Sequence, residues 1–201
     1  MSVDRKTIEN DEKYLRQISK VVSKDDSSIV RYVKMLEQYC SETQCFALAS
    51  VQIGIPKRII YLKNTTLDIP IDNLDYNESK ILINPEIISR KGLTEFWEHC
   101  LSCPGYMGLV KRPYEMVIKY YDVNWNENVK KIEGFEATVL SHEMDHLDGI
   151  LHMDIADEVL NMPNLDDRME FRKIHGYNII SKTGDYEELL NNSKKYVKSK
   201  N

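Results

Sequence analysis

The chain has 201 residues, enough for one well-packed domain and too few for two ordinary domains joined by a linker. Its 27 Lys and Arg stand against 32 Asp and Glu, a net charge of −5 that leaves no basic footprint for nucleic acid or an anionic membrane and points to a small or neutral ligand. No apolar run approaches a membrane span, and the start MSVDRKTIENDEKYL lacks a secretory core and is too acidic for a transit peptide, so a soluble protein that stays in the cytoplasm is expected.

In chain order, residues 9–19 read as a short helix with Tyr14 and Leu15 inward. Asp26, Ser27 and Ser28 offer N-caps, and Ile29, Tyr32, Val33, Leu36 and Tyr39/Cys40 then recur at helical spacing, which predicts an amphipathic helix over 28–42. A small-residue segment follows from Phe46, then strands at 58–62 and 80–84. The polar stretch between them, Asn64 to Ser79 with Pro70, reads as a surface loop. Further strands are expected at 86–90, 94–100 and 115–123, and Trp125-Asn126-Glu127-Asn128 turns into a last strand at 129–133. After Gly134, the residues Phe135, Ala137, Val139, Leu140, Met144 and Leu147 surround the helix axis, as in a buried helix. The fold class expected is α+β, with mixed or antiparallel sheets wrapped around this central helix and N-terminal helices alongside. Residues 1–155 would carry the working domain. Residues 156–201 form a polar extension of the same domain, partly helical or frayed, ending in NNSKKYVKSKN.

The central helix carries His142-Glu143-Met144-Asp145-His146, an HExxH that puts two imidazoles one turn apart on one face with a carboxylate beside them. The plain alternative is two satisfied core histidines and a helix charge. Burying that carboxylate unpaired would cost several kcal/mol, and a divalent metal is the simplest compensation. Two residues can complete such a site. His152 fits the longer HExxHxxGxxH spacing of metzincin proteases if the helix breaks at Gly149. Cys100 offers a soft thiolate suited to Fe(II) or Zn(II). Spacing alone does not choose. The four cysteines, Cys40, Cys45, Cys100 and Cys103, are few enough to read as reduced thiols. The Cys100-Leu101-Ser102-Cys103 pair has no second CxxC with which to build a structural zinc site.

Three stretches in order resemble the peptide deformylases. Residues 45–52, CFALASVQ, stand at the family's GxGxAAxQ; Glu98-His99-Cys100-Leu101-Ser102 stand at EGCLS; and His142 to Gly149 match HExDHLxG. The resemblance spans about residues 14 to 155 and selects Cys100 over His152, which sits where the family usually carries an apolar residue. It implies hydrolysis of the formyl group from N-terminal formyl-methionine of nascent chains, near the ribosome, by a monomer or weak dimer holding one divalent ion. Iron(II) is the expected ion, with Zn(II) or Ni(II) as alternatives. It further implies Cys100, His142 and His146 as ligands and Glu143 as general base and acid. Gln52 and the Leu101 backbone N–H would donate to the oxyanion. Phe46, Ala47, Glu98, His99, Phe135, Thr138 and Val139 would face substrate, with Arg112 and Asp145 supporting the ligands from behind and Glu98 a candidate partner of Arg112 there as well.

The chain departs from the pattern where Cys45, Ala47 and His99 replace glycines, so side chains enter the peptide groove there. His99 would either meet substrate or face solvent beside the groove. Asn10 to Arg16 stand in place of a proline-containing N-terminal signature. Two rival readings follow: a related hydrolase acting on another N-acyl or peptide substrate, and a binding protein that has lost turnover. The retention of Gln52, Cys100, His142, Glu143 and His146 together argues against the second.

Overall fold

The computed structural model describes residues 4–63 and 79–198; the expected loop at 64–78 lies outside them. The N-terminal helix is a single turn, α1 (Glu12–Leu15), which buries Leu15 and sends the Tyr14 hydroxyl to the Gly54 carbonyl at 2.8 Å. The expected helix to residue 19 stops early because the chain turns extended. Ser19 N–H donates to the Leu147 carbonyl, and Lys20 forms an isolated parallel bridge with Lys57. Helix α2 (Ile29–Thr43) follows its stripe, burying Ile29, Leu36, Tyr39 and Cys40, and ends at Gln44 in the left-handed conformation.

The strands are β1 (Ala47–Ala49), β2 (Ile59–Lys63), β3 (Ser79–His99), β4 (Tyr106–Arg112), β5 (Glu115–Tyr121), β6 (Glu127–Glu133), β7 (Glu158–Asn161) and β8 (Tyr177–Asp185). Among the described residues every ladder is antiparallel, in an order β1-β2-β3-β4-β7 with β5 and β8 also paired to β3 and β6 to β5. The α+β class is therefore as expected, but β3 is one 21-residue strand where the sequence suggests three. The apparent breaks are bulges. Asn84 takes φ 51° before Pro85, between the pairs Ile83–Tyr121 and Glu86–Lys119, and Gly92 takes φ 68° where the β8 register shifts. A Cβ at Gly92 would lie 2.5 Å from the Ser181 carbonyl, so only glycine lets β8 approach there. The sequence reading left 106–112 unassigned; it is β4, with Met107 and Val110 buried and Gly108 seated against His152 and Ala156.

Four helices complete the site-bearing region and its extension: α3 (Gly134–Leu147), the single turn α4 (His152–Ile155), and the pair α5 (Leu165–His175) and α6 (Tyr186–Lys198) that flanks β8. Helix α3 buries Ala137, Leu140, Met144 and Leu147 in a cluster with Ile60, Leu62 and Leu82 from β2 and β3 and with Met116, Ile118 and Ile132 from β5 and β6. It stops at Asp148, and Gly149 follows at φ 73°; a Cβ there would sit 2.4 Å from the Arg16 carbonyl. The N-terminal segment laces into the site loops through Lys6 N–H to the Gln52 carbonyl (2.7 Å) and Ile8 N–H to the Ser102 carbonyl (2.9 Å). Of the closing stretch read as partly helical or frayed, residues 191–198 belong to α6. No helix among the described residues is long and apolar enough to cross a membrane.

Candidate metal centre

His142, Glu143 and His146 lie on α3, and Cys100 is the first residue after β3, where the chain turns through the Cys103 N–H to Cys100 carbonyl bond. The two imidazole centroids are 4.9 Å apart with their planes at 84°, and Cys100 Sγ is 3.2 Å from His146 Nε2. One donor atom from each of Cys100, His142 and His146 falls within 4.8 Å of the others, and all three side chains are enclosed. Those three could hold a metal ion. His152 is buried, its ring 5.7 Å from that of His142, but it contributes no atom to the cluster, so the metzincin spacing does not describe this site. Among the described residues neither ring nitrogen of His152 has a hydrogen-bond partner, and burial, then His142, lowers its pKa to about 4.

The electrostatics favour a cation. The hydrogen bond from Cys103 holds the Cys100 thiol well below its ordinary range against burial, with His146 and His142 adding to the effect. Ser102 N–H donates to Cys100 Sγ at 3.3 Å. Behind the histidines lies a second set of charges. Arg112 donates through Nε and Nη2 to both oxygens of Glu98 (2.8 and 3.0 Å) and through Nη1 to Asp145. Glu98 in turn accepts from His142 Nδ1 at 2.8 Å, which leaves Nε2 as the free ring nitrogen. Burial pushes the Glu98 carboxyl up, but Arg112 and His142 outweigh it and hold it well below the carboxylate range. Burial likewise lowers His142, and Cys100 and Glu98 more than reverse this. Glu98, expected to face substrate, thus has both oxygens engaged by Arg112 and His142. Asp145 meets Arg112 and is not the partner of His142.

Glu143 is buried with its Oε2 accepting the Ala49 N–H at 2.7 Å, and burial raises its pKa against the pull of the two imidazoles. Gln52 sits in a 3-10 turn, Ser50–Ile53, after β1. Its Oε1 also accepts from Ala49 N–H (2.9 Å), which fixes the amide so that Nε2 donates to Ser102 Oγ (3.1 Å) and lies 3.6 Å from Cys100 Sγ. The Ala49 N–H and Ser102 hydroxyl are the partners that sequence reasoning missed. Ser102 stood in the quoted motif; a backbone N–H has no sequence signal.

The remaining expected residues are spread around this centre. Phe46 is 46% exposed, Leu101 is 36% exposed, and Ala47 and Val139 are partly buried against the α3 core. Thr138 is buried beside Tyr177. Phe135 joins an aromatic cluster with Phe96 (4.9 Å) and Tyr177 (5.4 Å). His99 is half-buried and does not simply face solvent: its Nδ1 accepts from Arg172 Nη1 at 2.8 Å, and burial, then Arg172, lowers its pKa to about 4.

A buried thiol and two imidazoles converging beside a carboxylate, on an antiparallel α+β frame, form a candidate metal site of the kind that metal-dependent hydrolases use. Residues 5–161 match the model of the polypeptide deformylase family, and the chain belongs to that family. It is 39% identical over 145 residues to peptide deformylase 1 of Clostridium perfringens, covering 72% of this chain and 92% of that protein. It is 36% identical over 163 residues to the peptide deformylase of Finegoldia magna, covering 81% and 93%. Among solved structures, the peptide deformylase of Legionella pneumophila superposes with a TM-score of 0.66 at 28% identity, covering 86% of this chain and 92% of that one. The Synechococcus elongatus peptide deformylase in complex with actinonin gives 0.64 at 28% identity, covering 86% and 85%.

Proposed function

We propose that this chain hydrolyses the formyl group from N-terminal formyl-methionine of newly made polypeptides, releasing formate and a free amine. The observation that carries the reading is the convergence of Cys100, His142 and His146 within 4.8 Å, in a chain of the deformylase family. The donor set fits a divalent metal: one depressed thiol, one imidazole whose Nδ1 is already spent on Glu98, and His146 with Nε2 toward the thiol and Nδ1 unpartnered. When bound, the metal would supply the Lewis acidity that lowers the pKa of a water and polarises a carbonyl. Thiolate plus two imidazoles suits Fe(II) as the native ion, with Zn(II) or Ni(II) as substitutes.

The chain's own residues supply the remainder. Glu143, its carboxylate anchored by Ala49 N–H and its basicity raised by burial, takes a proton from the attacking water and returns one to the leaving amine. Gln52 Nε2 and the Leu101 backbone N–H donate to the oxygen that gains negative charge. Arg112, Glu98 and Asp145 keep His142 in one tautomer and orientation. Phe135, Thr138 and Val139 line the methionine side-chain pocket, and Phe46 and Ala47 face the peptide substrate beside it. In the same reading α3 is the central, sheet-covered helix. Residues 1–155 form the metallohydrolase unit, and 156–201 belong to that domain. The protein works in the cytoplasm on chains emerging near the ribosome, as a monomer or weak dimer.

The test is formate release from a formyl-Met tripeptide by protein purified without oxygen and loaded with Fe(II), against Glu143→Ala. Release should fall by at least about 10²-fold in the variant. No release from folded, metal-loaded wild type would overturn the assignment in favour of another N-acyl substrate or a binding role.

A further inference from the structure

Two features of this chain touch each other beside Cys100. His99 replaces a glycine next to Cys100, and the residues beyond 161 lie outside the family match. Those later residues fold back along β3, where β8 pairs with its Lys91–Phe96 segment. From α5, Arg172 hydrogen-bonds His99 Nδ1 and places its guanidinium 4.5 Å over the Phe96 ring. Phe171 packs edge-on against Trp97 at 5.1 Å, and Tyr177 meets Phe96 and Phe135 at 6.0 and 5.4 Å. The extension is thus a wall beside the end of the strand that delivers Cys100.

Among the described residues no carboxylate lies within ion-pair distance of Arg172. Glu98, the carboxylate whose field it feels, is already held by Arg112 and His142. His99 Nδ1 accepts from Arg172, and Arg168 lies one turn earlier on α5. Arg168 Nη1 is spent on the Met162 and Pro163 carbonyls. Of the five guanidinium N–H donors of Arg172, only one has a protein acceptor among the described residues. Partial burial already works against its charge. A half-desolvated cation, fixed in direction by an imidazole and a ring and left with a free donor fork, is complementary to a carboxylate.

We propose that Arg172 is a specificity-determining residue that receives an Asp or Glu side chain lying shortly after the formyl-methionine of the substrate. His99 acts as its positioning residue and Arg168 adds to the field. This rests on the deformylase reading. A purely structural role, in which Arg172 only pins α5 to β3, would give no preference among substrates.

The experiment compares kcat/KM on the metal-loaded full chain for formyl-Met-Asp-Ala-amide, formyl-Met-Asn-Ala-amide and formyl-Met-Asn-Ala with a free C-terminus. Wild type, Arg172→Gln and Arg168→Gln are each assayed at low and high salt. Wild type should favour Asp over Asn by about tenfold at low salt, less at high salt. Arg172→Gln should bring that ratio to about one, and Arg168→Gln should reduce it; a ratio is insensitive to general loss of active protein. A wild-type ratio near one, a ratio untouched by Arg172→Gln, or a preference only for the free C-terminus overturns the proposal. Calorimetric binding of Met-Asp-Ala-amide against Met-Asn-Ala-amide separates the two readings. Tighter Asp binding with no formate release from any peptide supports the carboxylate site while refuting deformylation. Deformylation without an acidic preference does the reverse.

Discussion

Removing Arg112 tests whether the charges behind the histidines hold the fold as well as the site. Its side chain is 5% exposed and Glu98 is 4% exposed, joined through two hydrogen bonds of 2.8 and 3.0 Å, with Asp145 as a second partner. Arg112→Met keeps the length of the stem and deletes the fork. It strands Glu98 in the interior with His142 as its one remaining partner. Removing one member of a buried ion pair costs about 3–5 kcal/mol, because the survivor keeps its desolvation and loses its compensation. The pH dependence gives a second handle. In wild type the Glu98 pKa is depressed on folding, so its stabilisation is fully present above the unfolded carboxylate pKa and is lost as pH falls toward the folded one. In the variant the folded pKa rises, so part of the penalty is relieved by protonation as pH falls. Urea unfolding followed by circular dichroism should give a loss of about 3–5 kcal/mol at pH 7 that narrows toward pH 4. A loss below about 1 kcal/mol, or one that does not narrow with acid, would refute the assignment of Arg112 as the ion that stabilises Glu98.

Two further predictions bear on the chemistry and the ligand set. Gln52→Ala should lower kcat by about 10²–10³, or about 3–4 kcal/mol of barrier, with far less change in KM. A change confined to KM in the formate assay would remove Gln52 from the oxyanion role. His152→Leu, which puts an apolar side chain in place of a buried imidazole with no hydrogen-bond partner among the described residues, should raise stability by about 1 kcal/mol and leave one metal per chain. Metal loss measured by elemental analysis would reject the Cys100, His142 and His146 set.

Much of the site was legible because its spacing is local. His142 and His146 are one turn apart on any helix, and the apolar residues around α3 foretold its burial. Cys100 was not decidable from spacing, since it reaches the helix only through the course of β3, and the three ordered motifs chose it. The length of β3 was hidden because Pro85 and Gly92 look like strand ends, whereas the sheet absorbs both as bulges. The elements after residue 161 were hidden for another reason. Helix α5 buries no residue fully and β8 is exposed along most of its length, so neither carries a clear apolar period. Their attachment rests on Phe171, Arg172, Tyr177 and Tyr186, which meet aromatic or charged partners on the family core. A pattern search for alternating hydrophobicity has nothing to find there.

The backbone bonds from Lys6 to Gln52 and from Ile8 to Ser102 tie the catalytic loop to the beginning of the chain. Chain ends are ordinarily the first segments to open in local unfolding. Here each such opening would free the loop carrying Gln52 and the turn carrying Ser102 at the same moment, so their amide protons should exchange together. The free energy that keeps residues 4–10 docked thereby limits the fraction of time the Gln52 side chain is held beside Cys100 and Ser102. Sequence changes far from the chemistry, at the N-terminus, would be felt as changes in turnover without any altered residue touching the substrate.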